Sequence, residues 1–288
     1  MRVHASAIIN IHNITAMSSF FDSNRYLVVL KRPLLAVLLF LVLQAVSGVV
    51  MMFVYSSLDA RTLSIATLAC DCLVALGCLW IFRRSIYGPA EYRPFSSTWA
   101  MDFQALLGCV LGAFALDLLG ELLALPNIME EQMTAMCRDP WGIAAIALAA
   151  PIAEEIMFRW GIMGHLLRKG RGVAGSILVS ALFFGIIHMN PVQVFFATAM
   201  GILLGILYWK SGSLLMPCLL HVLNNSTACL MAYFLGDRVQ DFSLVSAIGG
   251  ESVAWCLVGV LSTLCIVIMW RYAASKAPDA QQAPSTEE

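Results

Sequence analysis

The stretch Ala153-Glu154-Glu155-Ile156-Met157-Phe158-Arg159-Trp160 sets two adjacent carboxylates and an arginine inside a long apolar run, Trp141 to Leu167. A run of that length reads as a membrane span. A charge at bilayer depth costs about 2.5–3.5 kcal/mol per residue on insertion scales. Three charges this close together are not tolerated on a lipid-facing surface. They face a protein interior or a water-filled cavity, which marks a functional site.

The rest of the chain agrees with that reading. Of its 288 residues, 60% are hydrophobic and only 12% are charged, against about 25% charged in soluble domains. Mean hydropathy is +0.82. These values predict an all-α, polytopic transmembrane helical bundle. A net charge of −1 carries no electrostatic footprint for nucleic acid. Eight of the nine cysteines fall within apolar segments, Cys137 being the exception. They read as small packing residues, and a disulfide framework is not expected.

A span needs about 20 apolar residues to cross ~30 Å of hydrocarbon. About eight runs qualify: Leu34–Tyr55, Leu63–Phe82, Phe103–Leu125, Trp141–Leu167, Val173–Met189, Val192–Trp209, Leu214–Leu235 and Val253–Trp270. Pro33, Pro140 and Pro191 sit at span starts, where a missing N–H costs little. Pro151 predicts a kink just before the carboxylates. The chain divides into an N-terminal segment (1–33), a membrane domain (34–270, motif core 141–235) and a polar, disordered tail (271–288). Met17 is an alternative start. With the N-terminus inside, thirteen of the seventeen Lys and Arg residues fall on the cytoplasmic side, as the positive-inside rule expects. Both termini are therefore expected in the cytoplasm, the membrane being a bacterial inner (plasma) membrane.

Glu155 and Arg159 are four apart and share a helix face. Glu154 is turned by about 100° from Glu155. The arginine can thus neutralise one carboxylate while the other points elsewhere. The fifth span ends in Phe184 and His188, one turn apart, and the seventh carries His221 and Asn225, also one turn apart. Each of these pairs alone could be interhelical glue. Together they bring a carboxylate that can serve as general base, two imidazoles that titrate near neutrality, and donors for an oxyanion. No Gly-x-Ser-x-Gly and no His-Glu-x-x-His is present. No cofactor is demanded, although Glu154, His188 and His221 are a ligand set that zinc would accept.

Glu154-Glu155-x-x-x-Arg159, Phe184-x-x-x-His188 and His221-x-x-x-Asn225 resemble, in order, the three motifs of the CPBP (Abi) family of intramembrane proteases. That family comprises the type II CAAX prenyl endopeptidases and the bacteriocin-processing or bacteriocin-immunity proteins. The resemblance implies roles by position. Glu154 would activate water with help from His188, His221 and Asn225 would stabilise the oxyanion, and Glu155 with Arg159 would form a supporting ion pair. It also implies a membrane-embedded protein or peptide substrate, which could be prenylated. The family has been described both as metalloproteases and as metal-independent glutamate proteases.

Two other readings predict different behaviour. A non-catalytic immunity or scaffold protein would keep its function after Glu154→Ala. A proton-coupled transporter would use Glu154, His188 and His221 as a relay, but the chain shows neither repeats nor paired broken helices. The expected topology also carries a tension. His188 would lie about 22 Å into its span and His221 only ~12–15 Å into its own. They meet only if the helices tilt or the Met189–Gln193 turn is re-entrant. Asp71, Asp117 and Glu121 read as structural or cavity-lining residues. Trp209, Trp270 and Tyr272 read as interfacial anchors, and Gly201-x-x-x-Gly205 as close packing within the chain.

Overall fold

The computed structural model describes residues 29–43, 60–86, 99–239 and 241–275. Most of the N-terminal segment, the far half of the first expected span and the tail beyond 275 lie outside the described residues. Regular structure among the described residues is helical: α1 (29–43), α2 (Ala60–Ile86), α3 (Trp99–Leu122), α4 (Glu130–Met136), α5 (Pro140–Arg168), α6 (Val173–Ile186), α7 (Pro191–Ser211), α8 (Leu215–Leu235), α9 (Leu244–Ala247) and α10 (Glu251–Ala274). Six of these (α2, α3, α5, α7, α8 and α10) are long and apolar enough to cross a bilayer. The fifth expected span is realised as the 14-residue α6, which at ~1.5 Å per residue covers about 21 Å.

α5 runs through the centre of the bundle. It supplies Met157, Phe158, Arg159, Ile162 and Met163, all among the largest fully buried side chains. Its start is fixed locally: Asp139 Oδ1 accepts the Trp141 N–H at 3.0 Å, and Pro140 takes the first helical position, where its missing N–H is harmless. α2 packs alongside in parallel, with Ser64 against Gly142 and Phe82 against Gly161. A Cβ added at either glycine would come within 2.8 Å of the α2 side chain it faces, so both glycines set how closely the helices approach. α8 lies antiparallel on another face of α5.

α6 and α7 form a tight antiparallel hairpin. A Cβ on Gly201 would stand 2.9 Å from Ala181 Cα, and one on Gly205 3.0 Å from Ile177 Cγ2. The Gly201-x-x-x-Gly205 spacing therefore serves packing within the chain, as read. α3 and α10 form a second antiparallel pair through Gly108 against Ile268 and Gly112 against Cys265.

The α6–α7 turn ends α6 early. Asn190 is fully buried, donates to Asn127 Oδ1 at 2.8 Å and accepts the Ile128 N–H at 3.1 Å. The Val192 N–H reaches Pro126 O at 3.3 Å. Met189 takes a positive φ of 49°. The segment following α3 thus seals the turn, and irregular backbone is tolerated at membrane depth because protein covers it.

Two local expectations are corrected and a third is narrowed. Pro33 lies within α1, not at its start. Tyr272 is no interfacial anchor, because its ring is buried and its hydroxyl donates to Asp102 Oδ1. Glu121 is structural: it accepts the N–H groups of Leu244 and Val245 and so holds the start of α9 against α3.

Candidate active site

The site is built on an interruption in α5. Over Ala144–Ala149 the backbone bonds five residues back in place of four, and the Ala150 N–H continues that pattern to Ala145 O. In this register the Ile146 carbonyl should meet residue 151. That residue is Pro151, which has no N–H. The carbonyl is taken instead by Asn225, whose Nδ2 donates to it at 3.0 Å. Pro151 therefore acts by changing the hydrogen-bond register and freeing a carbonyl, which α8 then uses to dock. A second widened segment, Ile156–Met163, follows. The short α-helical stretch Ala150–Glu155 between the two carries both glutamates.

Glu155 and Arg159 are fully buried and pair through Nη1 and Oε1 at 2.8 Å. Arg159 Nη2 also donates to the Gly201 carbonyl at 3.3 Å, so the guanidinium ties α5 to α7. Its central carbon sits 4.4 Å from the centre of the Phe184 ring, a cation–π contact. The same Glu155 Oε1 accepts Nδ1–H from His221 at 2.9 Å. One buried oxygen thus fixes the arginine and orients the imidazole. Glu155 Oε2 has no partner among the described residues.

With Nδ1–H committed to Glu155, His221 turns Nε2 towards Glu154 Oε2 at 3.5 Å. That is long for a hydrogen bond but within reach of tightening once a reacting group binds. The Glu154 side chain is 13% exposed, where that of Glu155 is 0% exposed. The two carboxylates are therefore distinguished by position, one locked and one presented.

His188 lies just past the end of α6. Its Nδ1 stands 2.7 Å from the Phe184 carbonyl. A carbonyl only accepts, so Nδ1 carries a proton, and in the neutral imidazole Nε2 is the nitrogen with the lone pair. Phe184 meets both imidazoles edge-on, with centroids 5.1 Å from His188 and 5.5 Å from His221. Through their shared contact with Phe184 the two imidazoles meet in one site, as the three motifs together require.

Sequence reasoning did not single out Phe184 as the shared wall of the site, nor the Gly201 and Ile146 carbonyls as anchors. Asp71 on α2 is a further feature. It is 4% exposed, its Oδ2 has no partner among the described residues, and it lies close enough to Glu154 for their charges to interact. Its mid-span position was the available signal. Asn225, expected to stabilise an oxyanion, commits one amide hydrogen to Ile146, and its Oδ1 accepts from Asn224 at 3.3 Å.

Among the described residues no three His, Cys, Asp or Glu side chains gather closely enough to hold an ion. Glu154, His188 and His221 as placed do not fit a zinc site.

Residues 137–227 match the family model described as type II CAAX prenyl endopeptidase Rce1-like. Over 92 residues the chain is 32% identical to the Bacillus subtilis (strain 168) protein named "Putative membrane peptidase YdiL". The match covers 32% of this chain and 37% of that protein, so the chain spans little more than a third of its relative's length. No solved structure matches. The matched segment contains both glutamates, Arg159, Phe184, both imidazoles and Asn225, so the similarity of residues 137–227 to Rce1-like type II CAAX prenyl endopeptidases runs through the whole candidate site.

Proposed function

We propose that the chain is an intramembrane endopeptidase in which Glu154 activates the attacking water. The carrying observation is the division of the acidic pair. Glu155 is fully buried and held by Arg159 and His221, while Glu154 is partly exposed and faces His221 Nε2. Glu154 takes a proton from water as the water oxygen adds to the scissile carbonyl. His188 Nε2, unprotonated, accepts the second hydrogen of that water and aims it. The developing oxyanion is stabilised by His221, whose positive charge Glu155 supports when Nε2 is protonated, and by the second amide hydrogen of Asn225. Glu154 then passes its proton to the leaving amine, so the carboxylate is regenerated.

The substrate class that the family match favours is a prenylated C-terminal CAAX peptide, with a leader peptide or a bacteriocin as the second candidate. Both termini lie in the cytoplasm and the chain sits in a bacterial inner membrane. The distribution of Lys and Arg supports this orientation.

The test is cleavage of a quenched fluorescent farnesylated CAAX peptide by the purified full-length chain in detergent, with and without a zinc chelator. Glu154→Gln and His188→Ala are run beside the wild type. Cleavage by the wild type that both substitutions abolish supports the reading. Wild-type rates in Glu154→Gln would overturn it.

A further inference from the structure

Cys137 and Cys229 were read from the sequence as separate packing residues. The structure brings their sulfur atoms to 2.9 Å across 92 residues of chain, closer than unbonded sulfurs pack. Cys137 closes α4, two residues before the Asp139 cap of α5. Cys229 lies on α8, one turn beyond Asn225 and two beyond His221. Both are buried in a small apolar cluster with Ala147 and Ala232, flanked by Ile143 and Ile146.

We propose that Cys137 and Cys229 are joined by a disulfide in the mature protein, on the extracytoplasmic side of the membrane. The proposal goes beyond the protease reading and rests on the inward placement of both termini. That placement puts Arg138, and with it Cys137, in an outer loop. Disulfides persist in oxidising compartments and are rare in the cytosol. The site explains what the bond would do. It fastens the outer part of α8 to the start of α5, directly above the Asn225–Ile146 contact, and so keeps His221 against the two glutamates.

The chemistry is thiol–disulfide exchange with an extracytoplasmic oxidoreductase that carries its own reactive disulfide. The Cys137 thiolate attacks one sulfur of that disulfide and the oxidoreductase S–S bond breaks. The Cys229 thiolate then attacks the Cys137 sulfur of the mixed disulfide and expels the oxidoreductase. Two cysteine thiols are oxidised, the oxidoreductase is reduced to a dithiol, and the two thiol protons end on it. In the finished fold the contact with Cys229 and burial hold the Cys137 thiol well above its ordinary range. Exchange therefore belongs to assembly. Cys137 leaves the membrane in its loop before α8 is made, and is open to the oxidoreductase at that stage.

The test is a count of thiols. Full-length protein from membranes is denatured in N-ethylmaleimide and weighed intact, before and after reduction. The chain has nine cysteines. The proposal expects two fewer modified thiols before reduction than after, with a protease fragment linking the peptides of Cys137 and Cys229. In Cys137→Ser and in Cys229→Ser every remaining cysteine should be modified without reductant. Reductant should lower the thermal midpoint of wild type and leave that of Cys137→Ser/Cys229→Ser unchanged. Nine modified thiols without reductant, a linkage through any other cysteine, or a reporter placing residue 137 in the cytoplasm would overturn the proposal. None of these readouts involves cleavage, so the protease reading stands or falls separately.

Discussion

Arg159→Met is the substitution that tests the core of the site most directly. Methionine fills much of the volume, so the principal change is loss of charge. Glu155 is then left with 0% exposure, with His221 as its remaining partner. Stranding one member of a buried pair costs about 3–5 kcal/mol. At ~2–4 °C per kcal/mol for a chain of this size, the thermal midpoint should fall by roughly 10 °C. The companion Glu155→Gln/Arg159→Met removes the stranded charge, while the oxygen of the new side-chain amide still accepts the His221 Nδ1–H. It should regain most of the loss, coming within ~2 kcal/mol of wild type given neutral hydrogen bonds worth about 0.5–1.5 kcal/mol each. Both are measured by thermal unfolding of purified protein in detergent. A double variant no more stable than Arg159→Met would refute the reasoning. The loss would then come from packing against Phe184 and α7, and not from an uncompensated carboxylate.

Other expectations are narrower. Glu154→Gln should lower kcat by ~10²–10⁴-fold and move the unfolding midpoint by only a few degrees, because its side chain is partly exposed and its contact with His221 is 3.5 Å long; a large loss of stability would count against its catalytic placement. Asn225→Leu strands the Ile146 carbonyl, which should cost about 1–3 kcal/mol in thermal unfolding. Gly201→Ala sets a methyl 2.9 Å from Ala181 Cα. It should cost about 1–3 kcal/mol by overpacking and lower turnover as well, since the same residue supplies the carbonyl that Arg159 binds; full activity in a destabilised variant would separate the packing from the site.

The features legible in the sequence were those set by local periodicity. The pairing of Glu155 with Arg159 follows from a spacing of four, and the divergence of Glu154 from the ~100° step between adjacent helical residues. Pro140 announced the start of α5. Pro151 announced a disturbance but not its form, because the outcome depends on which neighbour takes the freed carbonyl, and Asn225 comes from a helix 79 residues away. Hydropathy extended the fifth span to Met189 because a turn covered by protein is as apolar as a helix end in lipid. Only the tertiary contacts of Asn190 with Asn127 and Ile128 mark where α6 stops. The convergence of two imidazoles on Phe184 and the meeting of Cys137 with Cys229 are likewise properties of helix placement, on which sequence spacing is silent.

The brevity of α6 has a consequence for the surrounding lipid. At about 21 Å it is some ~9 Å shorter than the hydrocarbon thickness. Acyl chains cannot meet its far end at full depth without leaving a polar turn in oil. The leaflet must dip there, or amide-bearing protein must fill the gap. The chain supplies Asn127 and Asn190 at that position. Of the two, the structure shows the second: Asn190 is fully buried against Asn127 and Ile128, so protein takes the place of acyl chain beside His188. A short helix completed by a protein plug keeps oil away from the imidazole at the end of α6, which a membrane-spanning helix of full length would not do.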